Sequence, residues 1–165
     1  MKTKFKNILI GITFLFSAFI FAEQTSKKVY VVPIQDVIDL GIPGLVTRAI
    51  NLAEADNASL IIFDIDTFGG RVDAATQIKD AISSTEIETI AFINRRAISA
   101  GSLISLSCDQ IYMTEGATIG ATSVVDMSGS KQSEKSQSYM REEMAATAEK
   151  SGKNPDIARG MVDEE

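Results

Sequence analysis

The sequence predicts one α/β domain with a mainly parallel sheet flanked by helices, and three observations carry that prediction. Apolar strand-like runs alternate with helix-like stretches, which implies right-handed strand–helix–strand crossovers. The run Ser59 to Ile65 is hydrophobic enough for a strand covered on both faces. At 165 residues, with 45% hydrophobic and 23% charged side chains, the chain has room for one domain with a real core.

Taken in order, Val29 to Ile34 reads as a buried first strand. Pro43 and Gly44 open a helix whose apolar positions include Leu45, Ile50 and Leu52. After the strand Ser59 to Ile65, Thr67-Phe68-Gly69-Gly70 reads as a turn. Val72, Ala75, Ile78 and Ile82 share one side of a helix over Val72 to Ile82. Thr89 to Ile93 is a third strand, Ala100 to Ser107 a short apolar helix, and Gln110 to Met113 a fourth short strand. Ser123 to Ser133 is polar and small, as surface loops are. Lys135 to Lys150 has helix-forming composition, with Gly152 placed to end it. Asn154-Pro155 supplies the cap and first position of a last helix.

The first 22 residues stand apart. Lys2, Lys4 and Lys6 precede an apolar stretch of 14 residues, Ile8 to Phe21, which is followed by small Ala22 and polar Glu23. That layout is a secretory signal peptide, too short to span a bilayer comfortably, and its alternative is a retained anchor. The expected organisation is a signal peptide over 1–22 and one domain over 23–165.

Removing residues 1–22 takes away three lysines and no acids, leaving 13 basic against 22 acidic residues and a net charge of −9. Such a surface argues against nucleic acid as a partner, because phosphate binding relies on Lys and Arg. The single cysteine, Cys108, has no partner for an internal disulfide and reads as a small buried hydrophobe. The chain has no histidine. That excludes a Ser-His-Asp triad, a Cys-His pair and every histidine-ligated metal.

Three segments remain as candidates for chemistry. Ser99 follows a strand and opens a helix, where a serine ordinarily serves as the cap. Strand-to-helix turns also display nucleophiles, with backbone amides and the helix dipole facing an oxyanion. Gly69-Gly70 permits either a turn with positive φ or close approach of a substrate backbone. Lys135 alone reads as a solvated helix lysine. A lysine deprotonates serine only when neutral, so its pKa must fall from about 10.4 to about 7–8, which burial against apolar walls can supply. Ile98, Leu103 and Met140 are candidates for such walls.

The succession of a strand, Asp66-Thr67-Phe68-Gly69-Gly70, a helix, a strand, Ala97-Ile98-Ser99-Ala100-Gly101, a helix, Ile111-Tyr112-Met113 and Gly116 to Ala121 resembles the NfeD family over about residues 29–162. Members are membrane-associated relatives of signal peptide peptidase A with a ClpP/crotonase-type domain. The resemblance implies a serine endopeptidase with Ser99 as nucleophile and Lys135 as general base, Lys131 being second choice. It implies oxyanion donors at the amides of Gly70 and Ala100, and substrate contacts at Gly69 and Gly70. No metal or organic cofactor is implied. Implied partners are a peptide or membrane-protein substrate, with stomatin-like proteins the family's usual ones, and further copies of the chain in a homo-oligomer. The implied location is extracytoplasmic and membrane-associated. Family domains continue with another strand–helix unit, so the chain reads as truncated. Two other readings stay open: a non-catalytic scaffold organising membrane proteins, with Ser99 a mere cap, and a crotonase-type acyl-CoA enzyme, which export disfavours.

Overall fold

The computed structural model describes residues 27–126 and 128–163, and the signal peptide expected over 1–22 lies outside the described residues. Strands β1 (Val29–Ile38), β2 (Leu60–Gly70) and β3 (Thr89–Ile98) lie side by side in that order. The far edge of β3 is shared by β4 (Gln110–Met113), which pairs with Ile90–Ile93, and β5 (Thr118–Gly120), which pairs with Arg96–Ile98. Every pairing in this sheet is parallel. The crossovers carry α1 (Ile42–Ala55), α2 (Val72–Ile82) and α3 (Ala100–Ser107), and α4 (Glu134–Lys150) and α5 (Pro155–Gly160) follow the sheet. The ends of α2 fall where the apolar periodicity places them, and those of α3 where its short apolar run does.

Three strands differ from expectation. β1 and β3 run further than their apolar runs, and β2 continues through the segment expected to be a turn, so Gly69 and Gly70 are strand residues. β5 had no signal, because three residues cannot display a period of two. Coverage differs as well. Ile61, Phe63 and Ile65 are fully buried in the helical layer, whereas Leu60 and Ile62, on the other face of β2, are half-buried. β1 is an edge strand buried on one face only: Val32, Ile34 and Ile38 are buried, whereas Val31 is 64% exposed. An apolar run reports hydrophobicity and is silent on how many faces find a partner.

At the centre, every residue of α3 is buried. Its hydroxyls stay inside by bonding backbone: Ser105 Oγ donates to Gly101 O at 2.7 Å and Ser107 Oγ to Ile104 O at 2.7 Å. Lys153 closes the C-terminal end of α3 by donating to the carbonyl of Cys108 and, at 3.3 Å, to that of Asp109. Cys108 is fully buried, and burial pushes its thiol up to about 12. Burial therefore keeps Cys108 in its thiol form at pH 7, and the thiolate is the reactive species. The native protein is expected to resist iodoacetamide and to react once unfolded in urea; rapid labelling of the native form would show that Cys108 is reachable.

Candidate active site

The C-terminal ends of the parallel strands are irregular, and that is where the candidate residues gather. The β1–β2 register shifts between Gln35 and Val37, and Asp36 sits there with φ 61°. The β2–β3 register shifts between Ile65 and Thr67, with three residues of β3 passing while one passes on β2. Asp66 anchors that bulge through Arg96 Nε at 3.3 Å, and the Arg96 guanidinium lies 4.2 Å above the ring of Phe68.

Ser99 follows directly. Its backbone is at φ 54°, ψ −116°, a conformation costing a non-glycine residue about 1–3 kcal/mol. Two neighbours hold it there. The Ser99 amide donates to Gly120 O at 2.9 Å, so β5 is bonded directly to the strained turn. Buried Ser102 then ties the parts together: its Oγ donates to Ala97 O at 2.7 Å and accepts from Gly120 N at 2.9 Å. The expected capping role does not occur, since the Ser99 side chain makes no cap hydrogen bond. The Ser99 hydroxyl has no hydrogen-bond partner among the described residues.

The Asp66–Gly70 segment shapes this turn. Thr67 Oγ1 donates to the carbonyl of the bulged Asp36 and accepts from Gly69 N at 2.9 Å. Gly69 has φ 107°, and a Cβ on it would stand 2.7 Å from Ser99 Cβ. Gly69 is therefore glycine because the nucleophile candidate packs on it. A Cβ on Gly70 would stand 2.2 Å from the carbonyl oxygen of Ile38. Gly70 is glycine because β1 lies against it, whereas the sequence left a positive-φ turn and substrate approach open as reasons.

A small cavity of about 50 Å³ opens beside Ser99, lined by Gly70, Ala100 and Thr122 and walled by apolar side chains including Val72, Leu103 and Met140. Ser99, Gly70 and Ala100 thus line one cavity. Ala100 brings the first amide of α3, one that a helix leaves without an intrahelical acceptor. Leu103 and Met140 are walls, and Ile98 is not among the lining residues. Lys135 is exposed in the first turn of α4 and does not line the cavity, and Lys131, also exposed, does not line it either. No ionisable side chain lines it among the described residues.

Sequence reading missed three residues that build the site. They are Ser102, Thr122 and Gln137, which is buried and clamps Val124 to α4 by accepting from Val124 N at 3.0 Å and donating to Val124 O at 2.7 Å. The one available signal was a polar residue inside an otherwise apolar helical stripe, as at Ser102.

Comparison with known proteins agrees with this architecture. The NfeD1b N-terminal domain model matches residues 28–165. The chain is 36% identical over 162 residues to membrane protein NfeD1b of Bacillus subtilis, covering 96% of this chain and 37% of that protein. It is 34% identical over 123 residues to membrane-bound protease PH1510 of Pyrococcus horikoshii, covering 70% of this chain and 28% of that protein. The chain therefore spans 37% and 28% of the length of these two relatives. Among solved structures, a lysine-to-alanine variant of the membrane-bound stomatin-specific protease 1510-N, in complex with a substrate peptide, superposes with TM-score 0.78 at 31% identity, covering 84% of this chain and 67% of that one. ClpP1 from Listeria monocytogenes superposes with TM-score 0.65 at 21% identity over 82% of this chain and 79% of its own, a likeness of fold.

Proposed function

The chain belongs to the NfeD1b N-terminal domain family, and from that premise we propose that it is the catalytic domain of a serine endopeptidase using a Ser-Lys dyad. The observation that carries this is Ser99: strained, with an unbonded hydroxyl, beside a cavity to which Gly70 and Ala100 belong. A capping serine has no need of that strain. Ser99 Oγ attacks the scissile carbonyl while Lys135 takes its proton, and the amides of Gly70 and Ala100 hold the oxyanion. Lys135 then returns the proton to the leaving amine, and water releases the acyl group. Because Lys135 is exposed, the dyad requires the segment ahead of α4 to carry it to the cavity, with Lys131 as second choice.

The walls Val72, Ala75, Leu103 and Met140 suit an apolar side chain of the substrate. With relatives named as membrane proteins and one as stomatin-specific, the proposed substrate is an apolar segment of a membrane-associated, stomatin-like protein. The proposed setting is extracytoplasmic, after removal or retention of residues 1–22, with the chain acting as a homo-oligomer. No helix among the described residues is long and apolar enough to cross a membrane. The absence of any lysine from the cavity lining favours a second reading, a scaffold of the same fold that cleaves nothing.

The test is a pH profile. An amine must lose its proton to act as base, so cleavage of an apolar peptide is expected to rise with pH along one titration and to survive EDTA. An acidic optimum, or loss of activity with the chelator, would exclude the dyad.

A further inference from the structure

Two apolar patches on opposite sides of the molecule each carry one unmatched charge, and the two charges are of opposite sign. The first patch is the sheet face that no helix among the described residues covers fully. Val31, Ile62 and Ile90 form one row there across three strands, and Asp64, Phe92 and Tyr112 form the next. Val31 is 64% exposed and Tyr112 53%. Asp64 stands within this apolar surface. Its Oδ2 accepts from Gln35 Nε2 at 3.3 Å, but its Oδ1 is enclosed and has no hydrogen-bond partner among the described residues. Native structures rarely withdraw a carboxylate oxygen from water without giving it a donor.

The second patch is the outer side of α1. Val46, Ile50 and Ala53 on its inner side belong to the core, and a surface helix ordinarily turns polar residues the other way. Here Leu45, Arg48 and Leu52 follow one another at the i, i+3, i+7 spacing of a single outward stripe, with Leu52 60% exposed. Arg48 is exposed and has no ion pair among the described residues. Glu54, the other charge on α1, accepts from Thr85 Oγ1 at 2.8 Å. Because α1 lies in the helical layer, its outward stripe points away from the open sheet face, and one chain cannot bring the two patches together. Two chains can. Leu45 and Leu52 laid on the apolar rows would bring a guanidinium, with its five N–H donors, to the unsatisfied carboxylate oxygen. We propose that copies of this chain associate head to tail, α1 of one copy on the open sheet face of the next, with Arg48 paired to the partner's Asp64. Each added copy leaves one patch of each kind free, so the contact propagates and the smallest closed assembly exceeds a dimer. The proposal gives a surface to the homo-oligomer of the reading above and rests on that part of it.

The experiment measures the mass of the full chain in mild detergent by light scattering across a range of concentrations. The samples are the parent, Arg48→Asp, Asp64→Arg and an equal mixture of the two variants. The parent is expected to form species larger than a dimer. Each variant alone sets like charges against each other and is expected to associate at least about 30-fold more weakly. The mixture is expected to regain the parent's assembly, because every contact between unlike variants again joins an arginine to an aspartate. Arg48 is exposed, so Arg48→Asp keeps the fold and decides the matter even where Asp64→Arg does not fold. An Arg48→Asp protein that assembles like the parent would overturn the proposal alone, as would two folded variants whose mixture stays apart. A parent that stops at a dimer would overturn it too, since two sheet faces packed on each other make that species. A parent that is monomeric at every concentration would overturn the homo-oligomer reading and this proposal with it, and would leave the peptidase reading to its own test.

Discussion

Ser99→Ala is expected to lower cleavage of an apolar peptide by about 10⁴-fold or more while leaving the fold intact, because no other group can form the acyl-enzyme. Since Ser99 caps nothing, the substitution should change stability by less than about 0.5 kcal/mol. Ser99→Gly separates strain from chemistry. It should be equally inactive yet more stable by about 1 kcal/mol, since glycine takes φ 54° without the penalty a side chain incurs. Lys135→Ala should be inactive as well, with Lys131→Ala active beside it. The measurements are product formation by mass spectrometry and thermal or urea midpoints. If all of these variants cleave like an active parent, the Ser99–Lys135 assignment fails; if a folded parent cleaves nothing, the scaffold reading takes over.

Gly70→Ala is expected to be the most destabilising small substitution in the domain, costing more than about 3 kcal/mol. The added Cβ would stand 2.2, 2.7 and 2.8 Å from three backbone atoms of Ile38, so no side chain can rotate away to admit it. Relief requires β1 to separate from β2, which would also release the Ile38 carbonyl that accepts from Arg71 N at 2.9 Å. Gly152→Ala is the contrast. There a Cβ meets nothing within 4 Å, so only the φ of 73° is penalised, at about 1 kcal/mol. Urea midpoints of the two variants decide the matter. Equal midpoints would mean that β1 does not press on β2 at this place.

Helix α2 was legible because its apolar spacing and its packing side coincide, and α3 because its short apolar run is buried all round. Asn154 was legible as a cap, and its side chain accepts from Asp156 N at 2.8 Å. Ser99 was found through motif order and not through its own surroundings, where an ordinary capping serine looks the same in one dimension. β5 and the bulges were not legible, since three-residue pairings and register shifts leave no periodic mark. Thr122 was invisible for the same reason: nothing near it in sequence says that its hydroxyl is enclosed.

By itself the sequence determined the alternation of strands and helices, and through its lack of histidine it removed the commoner nucleophile–base pairs from consideration. Both follow from composition and from spacings of two to four residues, which neighbouring side chains set. Tertiary structure alone decided that Gly70 answers to Ile38, that Ser99 is held strained by Gly120 and Ser102, and that one face of the sheet stays partly open. Those facts join residues tens of positions apart or concern a face that no helix among the described residues covers fully. Only a folded backbone, with each strand end placed against the next, brings such groups within bonding or clashing distance.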